Sequence, residues 1–291
     1  MKIDLKTQIK QWYGRMNKFV LGGVEPKGFD SAMRNNISMD INYIFNDYII
    51  EKYKIDELKY WNFEKQLGFD VFYRKGIWPR YERKIAEYFI AYNFLGLDRV
   101  KGKRDFVYID GAASSSPWAK WLRDNLEIKS YAVDINKPVT NSNIYIQADI
   151  TQLPFNDESV DAISLQSALE TFPGNVDIEF IKECGRVLKP GGKCVIVPLY
   201  LNSEYVNAYG PSYYRKTRAE KQAIKYYRFD YNMPFTRLLD VKNLKSRICD
   251  IAEKSNMNYQ LFELEENNLN LIDKQYPYIY FKYFIGFYKY E

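Results

Sequence analysis

From residue 105 the chain repeats one unit: a short apolar run, an acid at its end, then a stretch of helical character. Phe106-Val107-Tyr108-Ile109 ends in Asp110, Ser130-Tyr131-Ala132-Val133 in Asp134, and Ile144-Tyr145-Ile146-Gln147 in Ala148-Asp149. A fourth run covers residues 160–165. A fifth covers 193–198 and follows the turn Lys189-Pro190-Gly191-Gly192. Strands that alternate with helices pair in parallel, since each crossover helix carries the chain back to start the next strand in the same direction. A helix at 241–252 and two last strands at 259–264 and 278–290 extend the pattern. The expected fold is α/β: a doubly wound, seven-stranded, mostly parallel sheet.

Two regions depart from this repeat. In residues 1–104 apolar positions recur at three and four, as at Ile41, Ile44, Phe45, Tyr48 and Ile49, and again at Tyr81, Ile85, Tyr88, Phe89 and Tyr92. These residues read as an N-terminal helical cap or substrate region, with 105–291 as the main domain. Within that domain, residues 201–237 form an insertion. Between Tyr213 and Arg228 it holds Arg215, Lys216, Arg218, Lys221 and Lys225 against one acid, Glu220, with Tyr213, Tyr214, Tyr226 and Tyr227 interleaved. Read blandly, this is a solvated helical face. Read for function, it is a mobile lid whose Tyr213, Tyr214, Arg215 and Arg218 clamp an anionic acceptor. A second cluster, Tyr73-Arg74-Lys75 with Trp78, Arg80, Tyr81, Arg83 and Lys84, would face the same cleft from the cap.

Composition narrows the chemistry. There is no histidine among 291 residues, which removes Ser-His-Asp hydrolysis, Cys-His proteolysis and most catalytic zinc sites. Cys184, Cys194 and Cys249 show no metal-binding spacing, and no metal site is expected. No run of about 18 apolar residues suggests a membrane span. The opening Met-Lys-Ile-Asp-Leu-Lys reaches no apolar stretch, so the expected location is cytoplasmic. The 27 tyrosines and 18 phenylalanines exceed the needs of a core and point to aromatic-lined surfaces.

Ligands of open parallel sheets bind beyond the carboxyl ends of the strands. Asp110, Asp134 and Asp149 stand at three successive strand ends, as one ligand laid across them would require. Asp134 follows Asp110 by roughly the 20-residue interval at which a carboxylate accepts ribose hydroxyls. The small residues after Asp110 give backbone N–H groups close access to a ligand.

These features resemble the class I S-adenosylmethionine-dependent methyltransferases over about residues 105–198. The resemblance rests on Ala148-Asp149-Ile150-Thr151-Gln152-Leu153-Pro154-Phe155, Ser159-Val160-Asp161-Ala162-Ile163, Ser167-Ala168-Leu169-Glu170 and Arg186-Val187-Leu188-Lys189-Pro190-Gly191-Gly192, in this order and spacing. It implies that Asp110, Gly111 and Ala112 meet the amino-acid end of S-adenosyl-L-methionine. Asp134 would hold the ribose hydroxyls with Ile135 against the adenine. Asp149 would face the adenine amino group with Ile150 beside it, and Gln166 would border the methionine portion. The family usually writes the first loop with three glycines, where Ala112, Ser114 and Ser116 stand here. Side chains there resist positive φ, so the loop is expected to take a different path or to hold the cofactor less tightly.

Glu170, just past the fourth strand, is the candidate general base; its bland reading is a buried acid that fixes a loop. The family's usual histidine after this Leu-Glu pair is Thr171 here. The expected activity is O-methylation of a small-molecule or glycan acceptor carrying negative charge. The alternatives are an RNA or DNA methyltransferase and a non-catalytic cofactor-binding homologue. A net charge of only +5 and the lack of a nucleic-acid-binding module argue against nucleic acid.

Overall fold

A computed structural model describes residues 50–75, 81–136, 143–210, 212–227, 233–265, 267–268, 272 and 281–291. The helix expected around 41–49 lies outside the described residues. In chain order the strands are β1 (Glu51–Tyr53), β2 (Val107–Gly111), β3 (Lys129–Asp134), β4 (Tyr145–Gln147), β5 (Val160–Gln166), β6 (Leu188–Leu199), β7 (Val206–Tyr209), β8 (Ile224–Tyr227), β9 (Thr236–Leu238), β10 (Met257–Leu264) and β11 (Tyr283–Lys289). The α-helices are α1 (Glu57–Leu67), α2 (Tyr81–Phe94), α3 (Trp118–Leu126), α4 (Val176–Val187), α5 (Val241–Leu244) and α6 (Asp250–Lys254), with a π-helical turn Lys245–Cys249 joining the last two.

Eight strands make the main sheet, in the order β1-β10-β11-β6-β5-β2-β3-β4. The run from β6 to β4 is parallel, and β11 is antiparallel to both of its neighbours. The sheet holds one strand more than expected. β1 comes from the N-terminal third and pairs in parallel with β10, Glu51 opposite Phe262.

Strand residues alternate between two cores, as a period of two requires when both faces are covered. Ile109, Val133 and Ile163 enter the core containing α4 and α5; Tyr108, Ala162 and Val195 enter the core containing α1, α2 and α3. Tyr81, Ile85, Tyr88 and Phe89 are buried in α2 at the predicted spacing. That stripe lies on the sheet itself, in one hydrophobic cluster with Tyr108, Val195 and Phe284.

The described residues of 201–237 form a small sheet rather than a helical face. β7 pairs in parallel with β8 and antiparallel with β9, making a second sheet of three strands. Arg237 of β9 and Asp177 of α4 are 2% and 0% exposed, with Nη1 and Oδ2 2.9 Å apart. Arg237 also binds Glu220 and the Gly174 carbonyl, while Glu220 accepts from the Gly174 amide. The inserted sheet is thus tied to the main domain through Arg237, Asp177, Glu220 and Gly174.

Candidate active site

β2 is flanked by β3 on one side and β5 on the other, and the chain crosses over in opposite directions from these strands. Such a switch point opens a crevice beyond the carboxyl ends. A cavity of about 320 Å³ lies there. Its floor is Asp110 with the small residues 112–116, and its flank is Gln166, Ser167, Glu170 and Thr171 after β5. Its roof comes from Tyr73, Arg83, Lys84 and Glu87 at and before α2, and the inserted sheet supplies Met233 and Thr236. Tyr200 closes the gap between these walls.

The first loop shows why small residues follow Asp110. A Cβ on Gly111 would lie 2.9 Å from Ile150 Cδ1, so a side chain here would displace the residue behind it. Ala112 and Ser114 take φ of 49° and 50°, the left-handed conformation that glycine adopts without penalty. Two of the three positions where the family writes glycine, Ala112 and Ser114, therefore keep glycine-like backbone despite their side chains, while Ser116 does not. Ser116 Oγ accepts from the Trp118 amide at 3.2 Å just ahead of α3, whose N-cap position is taken by Pro117 rather than by Ser116.

Asp134 ends β3 and is already engaged. Its Oδ2 accepts from the Ser114 amide at 2.8 Å, and its Oδ1 from the Asn136 amide at 2.8 Å. The carboxylate thus braces the first loop as well as standing at the expected strand end. Asp149 is exposed and closes a tight turn, its Oδ1 accepting from the Thr151 amide and hydroxyl. Ile135 is 66% exposed, and Ile150 is packed into the core. Asp134, Ile135, Asp149 and Ile150 lie outside the cavity walls, toward the β3–β4 edge.

The deep end of the cavity is charged. Asp110 is 1% exposed, and its Oδ2 has no hydrogen-bond partner. Burial pushes its carboxyl up to about 7, against the pull of Lys84 and a hydrogen bond from Ser116. Glu170 sits in the 3₁₀ turn Leu169–Thr171; its Oε2 is also buried without a partner. Burial raises it to about 7 as well, opposed by its own backbone amide and by Arg83. Across from them, Glu87 is 1% exposed; it accepts from Lys84 Nζ at 2.7 Å and from Ser167 Oγ at 2.5 Å. Burial works against the Lys84 charge, but the Glu87 carboxylate outweighs it and holds the ammonium above its usual range. The Arg83 guanidinium lies over the Tyr200 ring, 5.1 Å from its centroid, with Nε 3.7 Å from Glu87 Oε1.

Of the residues expected from sequence, the structure gathers Asp110, Ala112, Gln166 and Glu170 around one cavity, with Tyr73, Arg83 and Lys84 from the second basic cluster. Trp78 and Arg80 lie outside the described residues. Tyr213, Tyr214, Arg215 and Arg218 occupy the turn before β8 and are absent from the cavity walls. Lys225 Nζ stands 4.5 Å from the Tyr214 ring centroid, which ties that turn to its own strand. Sequence reasoning gave no role to Glu87, Tyr200 and Thr236, and read Ser167 only as part of a motif. Glu87 follows Arg83 by four residues, a helical pairing that was open to reading; the others carry no local signal.

Residues 109–196 match the family model described as a methyltransferase domain. No curated protein matches the chain. Solved structures of similar fold include the 1,6-didemethyltoxoflavin-N1-methyltransferase of Burkholderia thailandensis, at 10% identity and TM-score 0.46, covering 81% of this chain and 90% of that one. A SAM-dependent methyltransferase of Methanosarcina mazei is 18% identical with TM-score 0.40, covering 64% and 93%. The geranyl diphosphate C-methyltransferase of Streptomyces coelicolor A3(2) is 11% identical with TM-score 0.43, covering 71% and 79%.

Residues 109–196 carry a methyltransferase domain, and the methyl donor expected from the sequence is S-adenosylmethionine. The residues present fit that molecule. An amino-acid end needs a carboxylate for its ammonium and a donor for its own carboxylate. Asp110 Oδ2 and Gln166 Nε2 are both buried, unpartnered and on the cavity wall. Among the described residues, no helix is long and apolar enough to cross a membrane.

Proposed function

We propose that this S-adenosylmethionine-dependent methyltransferase methylates a hydroxyl oxygen of a small acceptor, a free metabolite or the end of a glycan, with Glu170 as general base. The observation that carries the reading is the unpartnered Glu170 Oε2 in a cavity of about 320 Å³ that also reaches Asp110 and Gln166. That volume admits a methionine chain and one small ring or chain, whereas a nucleic-acid strand needs an open basic groove.

Bound S-adenosylmethionine supplies a methyl group already activated on a sulfonium. Asp110 and Gln166 orient the amino-acid end, and the small residues 112–116 let the cofactor approach the backbone. The inserted sheet and α2 would enclose the acceptor and exclude water, and near-attack positioning of this kind is worth roughly 7–11 kcal/mol. As the acceptor oxygen forms its bond to carbon, Glu170 Oε2 takes the hydroxyl proton and afterwards releases it to water. A base whose pKa lies near neutral suits that exchange.

The test is a transfer assay with trideuteromethyl-labelled S-adenosylmethionine against phosphorylated sugars, nucleotide sugars, small hydroxy acids and unmodified RNA. Mass spectrometry should find the label as an O-methyl group on a low-mass acceptor. Glu170→Gln should slow transfer by roughly 10²–10⁴-fold while leaving S-adenosylhomocysteine affinity intact. Label found only in RNA would overturn the reading.

A further inference from the structure

Glu87 and Tyr88 are consecutive residues of α2, and their side chains reach two different loops. Glu87 Oε1 accepts from Ser167 Oγ at 2.5 Å, in the loop that follows β5. The Tyr88 hydroxyl hydrogen-bonds with Ser116 Oγ at 3.0 Å, at the end of the loop that follows β2. β2 and β5 are neighbours, with Gly111 opposite Leu165, so their loops leave the sheet side by side and both border the cavity. Two successive side chains of one helix are thus bonded to both edges of the crevice.

The Glu87 contact belongs to a closed ring. Lys84 Nζ donates to Glu87 Oε2 at 2.7 Å and to the Gln166 carbonyl at 3.4 Å, so the ion pair grips residues 166 and 167 together. The Glu87 side chain is 1% exposed and that of Lys84 15%. A buried ion pair gains little stability over an apolar pair of the same size; what it adds is directed hydrogen bonds. Ser167 needs such a hold, because its φ of 52° is a left-handed conformation that its surroundings must impose. Tyr88 is held as firmly. It is fully buried, its ring stacked on Trp118 with centroids 4.9 Å apart and its hydroxyl 2.5 Å from that of Tyr73. Tyr88 is absent from the cavity walls, so it acts on a ligand only through the groups it holds.

We infer that Glu87 and Tyr88 are positioning residues for the cofactor, setting the two loops so that Asp110 and Gln166 meet the amino-acid end of S-adenosylmethionine together. α2 is then part of the cofactor site as well as a wall of the acceptor space. This rests on the reading of S-adenosylmethionine as the methyl donor, and is independent of the acceptor and of Glu170.

S-adenosylhomocysteine is titrated calorimetrically into the full-length parent and into Ser167→Ala and Tyr88→Phe, each of which removes one hydroxyl. The temperature is one at which thermal unfolding shows all three folded. Both variants should bind about tenfold more weakly, since loops that are no longer pre-set must be ordered by the ligand. Glu87→Leu should lose at least as much as Ser167→Ala, and Glu87→Gln, which keeps an oxygen for Ser167, should lose less. In the Glu87→Leu protein, Ser167→Ala should then cost nothing further. Full additivity would mean that Ser167 meets the cofactor by itself, and overturns the role of Glu87. Should the Glu87 variants fail to fold, Ser167→Ala and Tyr88→Phe decide the matter alone. Parental affinity in either of these two, whatever its thermal midpoint, overturns the inference, because a merely structural bond moves stability without moving affinity. A parent that does not bind S-adenosylhomocysteine overturns the cofactor reading and this inference together; a parent that binds it no better than the variants overturns this inference alone.

Discussion

Arg237 Nη2 donates to Glu220 Oε1 at 2.6 Å, joining the last strand of the inserted sheet to the turn before β8. Glu220 is the lone acid of the most basic stretch in the chain, and here it serves as the anchor of that stretch. Burial pushes the Glu220 carboxyl up, but bonds from Arg237, Tyr205 and Asn207 outweigh it and hold it below the usual range. Behind Arg237 stands Asp177, fully buried and held also by Arg247 at 2.7 Å.

Arg237→Met should therefore be strongly destabilising. Removing one member of a buried charge network leaves the others uncompensated, at a cost of about 3–5 kcal/mol. Urea denaturation should show a lower midpoint by that amount, and limited proteolysis should open the inserted sheet first. A variant as stable as the parent would mean that the sheet is held by its apolar contacts alone.

The two raised carboxyls set the pH dependence of the ligand-free protein. When an acid has a higher pKa folded than unfolded, the folded state keeps a proton that the unfolded chain releases. Stability is then full below the unfolded value near 4 and falls as pH rises toward 7. Asp110, shifted to about 7, costs as much as about 4 kcal/mol at pH 8. Asp110→Asn should remove that cost, raising stability at pH 8 far more than at pH 4, while abolishing tight S-adenosylhomocysteine binding. Equal effects at both pH values would show that Asp110 is ionised in the folded protein.

The frame of this site was readable because strand ends leave strong local marks. Asp110, Asp134 and Asp149 each follow an apolar run, and all three stand where the parallel sheet releases its strands. The inserted sheet was not readable, because β7, β8 and β9 are three or four residues long and too short for a period to show. Their charge pattern suggested a solvated surface, yet the deciding contacts run from Glu220 to Arg237 and Gly174, across the fold. β1 was hidden for the same reason: three residues that become a strand only against β10. The roof of the cavity was half visible, since Arg83 and Lys84 stood out as charges while Glu87, which organises them, looked like one more helix acid.

Asp134 braces the first loop and is proposed to hold the ribose hydroxyls, so its removal should be felt in both. Asp134→Ala should weaken S-adenosylhomocysteine by about 1.5–3 kcal/mol, or roughly 10- to 150-fold, the usual worth of hydrogen bonds to a charged group. It should also free the Ser114 amide, so hydrogen exchange at Ser114 should quicken in the ligand-free variant. Faster exchange with unchanged affinity would keep the bracing role and remove the ribose role.

Ala112 and Ser114 offer a test in the opposite direction. Each holds a left-handed backbone that costs an L-residue about 1–2 kcal/mol. Glycine removes that strain but gives back part of the gain, about 0.5–1 kcal/mol, through its freer unfolded chain. Ala112→Gly and Ser114→Gly should therefore each stabilise the protein by a few tenths to about 1 kcal/mol. The loop conformation is already the one glycine would take, so S-adenosylhomocysteine affinity should stay within twofold of the parent. Thermal unfolding and calorimetry on the two single variants read both quantities. A clear loss of stability in both would mean that the methyl of Ala112 and the hydroxymethyl of Ser114 make contacts worth more than the strain they impose.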